Sequence, residues 1–260
     1  MVELALRVGC RSAQGLRSNN EDSFVADEDH RFFLVADGMG GQDSGERASG
    51  MAAEIIPRVY YDRLAARDDA SQAVRRAFAV ANEAIVHAGQ MMPQGRRMGT
   101  TAVLAVQERG QVYVAGLGDS RAYLIRGQRV EQLTVDHSVA QALVSSGALT
   151  PDEARDSPWQ HVLHKFLGCA ELAEGAEVRP FTPQAGDRLL LGSDGLTNHI
   201  ADKDLREGAD WSDPQAWAEF LVDVALKRGS RDNVTCVIVA FTEVDNGSSS
   251  GERKKQKKKR

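Results

Sequence analysis

Residues 102–125 read AVLAVQERGQVYVAGLGDSRAYLI, three short β-rich runs with only turn-length segments between them. The runs are Ala102–Val106, Val112–Leu117 and Ala122–Ile125, with hairpin signals at Glu108-Arg109-Gly110 and again at Arg126-Gly127-Gln128. Strands this close in the chain pair antiparallel, because a parallel neighbour needs a crossover of about a dozen residues or more. Working outward, Arg31–Ala36, Arg188–Leu191 and Val234–Phe241 are further β-rich runs. Helical patterns occupy the stretches between. One begins after Ser44 and carries Ala48, Ala52, Ile55 and Val59, with Pro57 expected to kink or shorten it. A second places Val74, Phe78, Ala81 and Ile85 on one face. A third starts with Asp213 as N-cap and Pro214 at the first helical position. It buries Trp217, Phe220, Leu221 and Val224, then stops at Gly229. Strands in clusters and helices in clusters predict an α+β fold of antiparallel sheets with helices packed outside, not a doubly wound parallel sheet.

Between Asp136 and Gly168 lies a helical insert in which Thr150-Pro151-Asp152-Glu153 forms a capping box. It reads either as a surface excursion or as a flap beside a site. The chain divides into one domain, residues 1–245, and a basic tail, residues 246–260 (NGSSSGERKKQKKKR).

Of the 260 residues, 42% are hydrophobic and 27% charged, which excludes disordered and fibrous classes. No apolar run reaches the ~18 residues of a transmembrane helix. The start, MVELALRVGCRSAQG, lacks the basic beginning and apolar core of a signal peptide, so a cytoplasmic location is expected. Cys10, Cys169 and Cys236 are too scattered for a disulfide framework or a zinc knuckle. The net charge of −5 hides an asymmetry: the tail holds seven Lys or Arg and one Glu, a local +6, which leaves −11 on the first 245 residues. An acidic body repels a phosphate-bearing ligand unless cations reverse the local field.

The carboxylates are placed to bind such cations. Asp37, Asp119 and Asp194 each end an apolar strand, and Asp232 precedes one; each is followed by Gly, Ser or Asn, and Glu21-Asp22 precede a further short run. Any one Asp-Gly marks a turn more often than a ligand. Several such strand ends at one sheet edge are another matter, since the carboxylates converge and repel unless a cation sits among them. The donor set is all oxygen, without HExxH or paired cysteines, which points to Mg²⁺ or Mn²⁺ rather than zinc or copper. Two such ions lower the pKa of a bridging water and hold the oxygens of a phosphate.

The motifs GLRSNNED (15–22), DGMGG (37–41), GTT (99–101), GDSR (118–121), DHS (136–138), SDGL (193–196) and RDNVT (231–235) stand in one order along nearly the whole body. In these the chain resembles the bacterial PP2C-type, or PPM family, metal-dependent Ser/Thr protein phosphatases. The resemblance implies two central antiparallel β-sheets packed as a sandwich and flanked by helices, four layers αββα, with a helical flap at about 138–168. It implies hydrolysis of phosphoserine and phosphothreonine on proteins by a metal-activated water at a binuclear Mn²⁺ or Mg²⁺ centre. By position, Asp37 matches the carboxylate bridging both metals and Gly38 a backbone carbonyl ligand. Asp194 and Asp232 match ligands of the second metal, and Asp119 with Asp194 those of a third, weaker one. Glu21 and Asp22 match the acidic pair beside the metals, and Arg17 the arginine that grips the substrate phosphate. Asn233 is expected to tie the Asp232 loop, while Thr100 and Thr101 read as structural.

Two positions depart from the family pattern. Met39 stands where some members carry a histidine general acid, which leaves protonation of the leaving group to water at the metal centre. His164-Lys165 replaces the usual Thr-Arg before Leu-Gly. His161 and His164 could touch a metal or a phosphate, although a lone histidine is more often a residue without such a role, and His137 is read as shaping the turn before the insert. The implied partners are phosphorylated proteins, targets of Ser/Thr kinases and the kinases themselves, met by a monomer. Nucleic acid is not expected, and the tail is a solvated extension or a contact for anionic lipid or an acidic partner. Two other readings stay open, a catalytically weak regulatory binding module of the same fold and a phosphatase dedicated to one regulator protein.

Removing residues 246–260 is expected to leave kcat/KM for a small phosphoester unchanged; a large loss would make the tail part of the catalyst.

Overall fold

In the computed structural model, residues 4–40, 43–92, 98–170, 172, 175–208 and 211–244 are described; the basic tail and Gly41 lie outside them. Two antiparallel sheets form. The first runs β1 (Leu4–Ala13), β11 (Val234–Glu243), β10 (Arg188–Gly192), β7 (Arg121–Arg126) and β8 (Arg129–Gln132), in that order across the sheet. The second runs β2 (Asp22–Asp27), β3 (Phe32–Met39), β5 (Ala102–Glu108), β6 (Gln111–Leu117) and β9 (Glu177–Phe181), with β4 (Gly99–Thr100) paired to the far end of β3.

Strand side chains alternate between faces, and here both faces are covered. Phe33 and Val35 of β3, Val103 and Ala105 of β5, and Val237 and Val239 of β11 fill the space between the sheets. The alternate residues Phe32, Leu34, Leu104 and Val106 face a helical layer. That layer is α1 (Asp43–Ala65) and α2 (Ala70–Gln90), which buries Val74, Phe78, Ala81 and Ile85 as their spacing predicts. On the other side Cys236 and Ile238 meet α7 (Pro214–Lys227) through Trp217, Leu221 and Val222. Phe220 and Val224, expected in the core, are only half-buried at its edge. The result is the four-layer αββα sandwich, and double coverage explains why its strands read as continuous apolar runs.

Pro57 does not shorten α1, which continues to Ala65. Buried Ala52, Ile55, Ile56 and Tyr60 flank the proline, so packing holds the helix across the missing amide hydrogen bond. β1, β4, β8 and β9 carry no clear apolar run: arginines interrupt β1, and Pro180 sits in the edge strand β9. The insert forms α3 (Val139–Ser145), capped by Ser138, and α4 (Pro151–Arg155), with the Thr150–Glu153 capping box present.

Phe78, fully buried between α2 and the second sheet, is a fair probe of this packing. Phe78→Ala is expected to lower unfolding free energy by about 3–5 kcal/mol in urea titration.

Candidate metal centre

The strand ends meet at one rim of the sandwich. Asp37 sits near the end of β3, where three hydrogen bonds fix its peptide. Its N–H donates to Thr101 Oγ1 (3.0 Å), and its carbonyl accepts from Thr101 N–H (2.9 Å) and Thr100 Oγ1 (2.8 Å). Thr101 Oγ1 also shares a hydrogen bond with Ser120 Oγ (2.6 Å), beside Asp119. Gly38 packs where no side chain fits: an added Cβ would lie 2.2 Å from the Gly45 carbonyl oxygen. Gly118 adopts φ +100°, turning the chain after β6 so that Asp119 enters the cleft. His137 clamps that turn from the far side, its ring Nδ1 accepting from Gly118 N–H (3.1 Å) and its own N–H donating to Gly118 O (2.9 Å).

Asn233, at the start of β11, organises the opposite wall. Its Nδ2 donates to Gln14 O and Asn19 O (both 2.9 Å), and its Oδ1 accepts from Glu21 N–H (2.8 Å). These bonds fold the 14–21 loop over Asp232, where the exposed Arg17 donates through Nη2 to Asp232 Oδ2 (2.6 Å). Asp194 is the first residue of α5 (Asp194–Thr197). Asp22 lies behind the cleft, not on its wall. Its Oδ2 accepts from Ser193 Oγ (2.9 Å) and Thr235 Oγ1 (2.6 Å), so it ties the second sheet to the first. Its Oδ1 is buried without a hydrogen-bond partner.

The cleft encloses about 340 Å³, walled by Arg17, Glu21, Asp37, Asp119, Asp194 and Asp232, with the Gly38 and Asn233 backbone segments between them. A larger cavity of about 810 Å³ opens at the opposite end of the sandwich, near Arg109 and Pro183, and contains none of these residues. Burial, with Asp22, Asp194, Asp119 and Asp232 close by, pushes the Asp37 carboxyl well above its ordinary value. Burial likewise raises Asp22 and Asp119, each to about 7, and raises Glu21 and Asp194. A raised proton affinity in a desolvated all-oxygen cluster is what divalent cations would relieve, so the residues present fit hard metal ions.

The flap brings His161 into this cleft, with Nδ1 3.7 Å from Asp194 Oδ2. Spacing gives no hint of this contact, because it depends on how the 159–164 turn docks. His164 instead meets His137 edge-on, with ring centroids 6.1 Å apart. Ser193 and the Thr100-Thr101 pair hold the acidic residues in place; the sequence signal for them was their adjacency to Asp194 and to β4.

Strand-end carboxylates beside an arginine thus line one rim of the αββα sandwich. The chain belongs to the protein phosphatase 2C family, whose model matches residues 6–143. It is 36% identical over 242 residues to the protein phosphatase PhpP of Streptococcus pneumoniae, covering 88% of this chain and 94% of that one. It is 35% identical over 253 residues to the serine/threonine protein phosphatase PstP of Mycobacterium tuberculosis, covering 95% of this chain. The chain spans about half, 47%, of that mycobacterial relative's length. The crystal structure of PstP superposes with a TM-score of 0.82 at 32% identity, covering 93% of this chain and 100% of that one. The PstP catalytic domain has also been solved in complex with two manganese ions, and superposes with a TM-score of 0.79 over the same shares.

The raised carboxyls predict a pH dependence of the metal-free protein. A group whose folded pKa lies above its unfolded value stabilises the fold below the unfolded pKa, and that stability is lost as pH rises through the folded one. With Asp22 and Asp119 near 7, unfolding in EDTA should show falling stability from about pH 4 to above pH 7. Asp119→Asn should flatten part of that slope, and Mn²⁺ should remove it.

Proposed function

We propose that this chain hydrolyses phosphoserine and phosphothreonine on proteins. The observation that carries the reading is the convergence of Asp37, Asp119, Asp194 and Asp232 from both sheets into one cleft beside Arg17. Asp37, the Gly38 carbonyl, Asp194 and Asp232 would hold two Mn²⁺ or Mg²⁺ ions, and Asp119 with Asp194 a third, weaker one. Bound there, the ions neutralise the carboxylates and supply the Lewis acidity that phosphoester hydrolysis requires.

The chain's own groups do the rest. The Arg17 fork is anchored through Nη2 on Asp232 and carries further N–H donors for phosphoryl oxygens. Thr100 and Thr101 keep the Asp37–Gly38 peptide fixed, so the carboxylate and the carbonyl are aimed together. Asp22 braces the rim from behind through Ser193 and Thr235, and Asn233 sets the height of the Glu21 segment. Met39 borders the cleft and has no proton to give.

On this reading residues 1–245 form the catalytic domain, acting as a cytoplasmic monomer on targets of Ser/Thr kinases and on the kinases. The tail is a solvated extension or a contact for anionic lipid or an acidic partner. Among the described residues no helix is long and apolar enough to cross a membrane.

A phosphothreonine peptide assay decides the matter. Activity should be absent in EDTA, return with Mn²⁺ or Mg²⁺, and fall by more than about 100-fold in Asp194→Ala, because even outer-sphere partners of metal ligands cost about 10- to 100-fold. A folded, metal-loaded protein without turnover would instead favour the regulatory binding module.

A further inference from the structure

Apolar side chains stand in solvent on two sides of the cleft. Seven large apolar residues are exposed among the described residues, and three of them adjoin cleft-lining residues in the chain. Leu16, 77% exposed, immediately precedes Arg17. Trp159 (51%) and Val162 (42%) belong to the flap turn, whose His161 and Leu163 line the cleft. Apolar residues scattered singly over a surface need no explanation, but three gathered about one opening mark a surface that meets something.

The backbone beneath each lip is pinned. Gly15, at φ +62°, lies so close to β11's leading loop that an added Cβ would be 2.1 Å from the Asp232 carbonyl oxygen. Leu16 N–H donates to Arg231 O (3.3 Å), and Gln14 Nε2 donates to Arg17 O (2.7 Å). On the flap, Trp159 N–H donates to Ser157 Oγ (3.2 Å), and its carbonyl accepts from Ala140 N–H and Val162 N–H (both 3.3 Å). Val139 N–H donates to Val162 O (2.7 Å), which straps the turn to the start of α3. The peptide groups are therefore satisfied while the side chains stay wet. A tryptophan held in this way offers a large contact area at little cost in conformational entropy.

We propose that the two lips form a specificity surface for the polypeptide that carries the phosphorylated residue, Leu16 on one side and Trp159 with Val162 on the other taking apolar side chains that flank it. The occupant follows from continuity with the cleft. A phosphoresidue gripped by Arg17 brings its own chain neighbours across the lips, because an extended chain advances only about 3.3 Å per residue. The inference rests on the reading of the cleft as a protein phosphatase site and adds a sequence preference to it. Polar flanks would give up water against these side chains without gaining a hydrogen bond, so they are disfavoured by the same surface.

The test uses the full chain with Mn²⁺ and two phosphothreonine peptides in an alanine background, one with leucines on both sides of the phosphothreonine and one with serines. Trp159→Ala and Leu16→Ala are measured beside wild type, with folding checked by far-UV circular dichroism. Wild type should favour the leucine-flanked peptide by about tenfold or more in kcat/KM. In Trp159→Ala that ratio should fall by about fivefold or more, as on truncation of an aromatic anchor, with the loss confined to the leucine-flanked peptide. Leu16→Ala should lower the ratio in the same direction. Equal kcat/KM for the two peptides in wild type overturns the specificity surface and leaves the phosphatase reading standing. A Trp159→Ala chain that slows both peptides equally also overturns it, since the residue then only supports the flap. No turnover of either peptide by the metal-loaded wild type removes the phosphatase reading and this inference together.

Discussion

Mutual repulsion among carboxylates is the constraint around which the rim of this structure is built. Asp37, Asp119, Asp194 and Asp232 come from separate strand ends, and the first three are deprived of much of their water. Left alone, such groups would move apart or take up protons. The frame answers with neutral hydrogen bonds that fix the backbone: the Thr100-Thr101 clasp on Asp37, the His137 clamp on Gly118, and the Asn233 hub under the 14–21 loop. None of these bonds satisfies the cleft-facing carboxylates. The strain is therefore held by the scaffold and left for a ligand to relieve, which is how a site stays open for positive charge.

Asp22 shows the same constraint from behind. A carboxylate between two sheets is costly unless hydrogen-bonded, yet one of its oxygens has no partner. The other accepts from Ser193 and Thr235, both on the first sheet's side of the rim. The two sheets are thus joined at the cleft by polar bonds as well as by the apolar packing between them, so at the rim hydrogen-bond geometry helps to set the spacing.

Much of this architecture can be read from the chain before any coordinates. FFLVA before Asp37 and VTCVIVAF after Asn233 are strands covered on both faces, and their apolar runs stand out for that reason. β1 is harder to see because Arg7 and Arg11 interrupt it, and β9 because Pro180 lies in an edge strand where its missing N–H is tolerated. Pro57 misleads in the opposite direction, since a local rule about helices yields to burial on both sides of it. At the site, residue types and order bring the acidic positions into view because chemistry demands them. The separation of Asp22 from the cleft wall and the approach of His161 depend on how the loops dock, which no local pattern records.

Strand β11 runs from Val234, next to the cleft residue Asn233, to Glu243 at the opposite end of the sandwich, a span of about 33 Å for ten extended residues. Anything attached beyond Val244 therefore starts on the far side of the molecule from the mouth of the cleft. The strand that links the two poles is buried along most of its length.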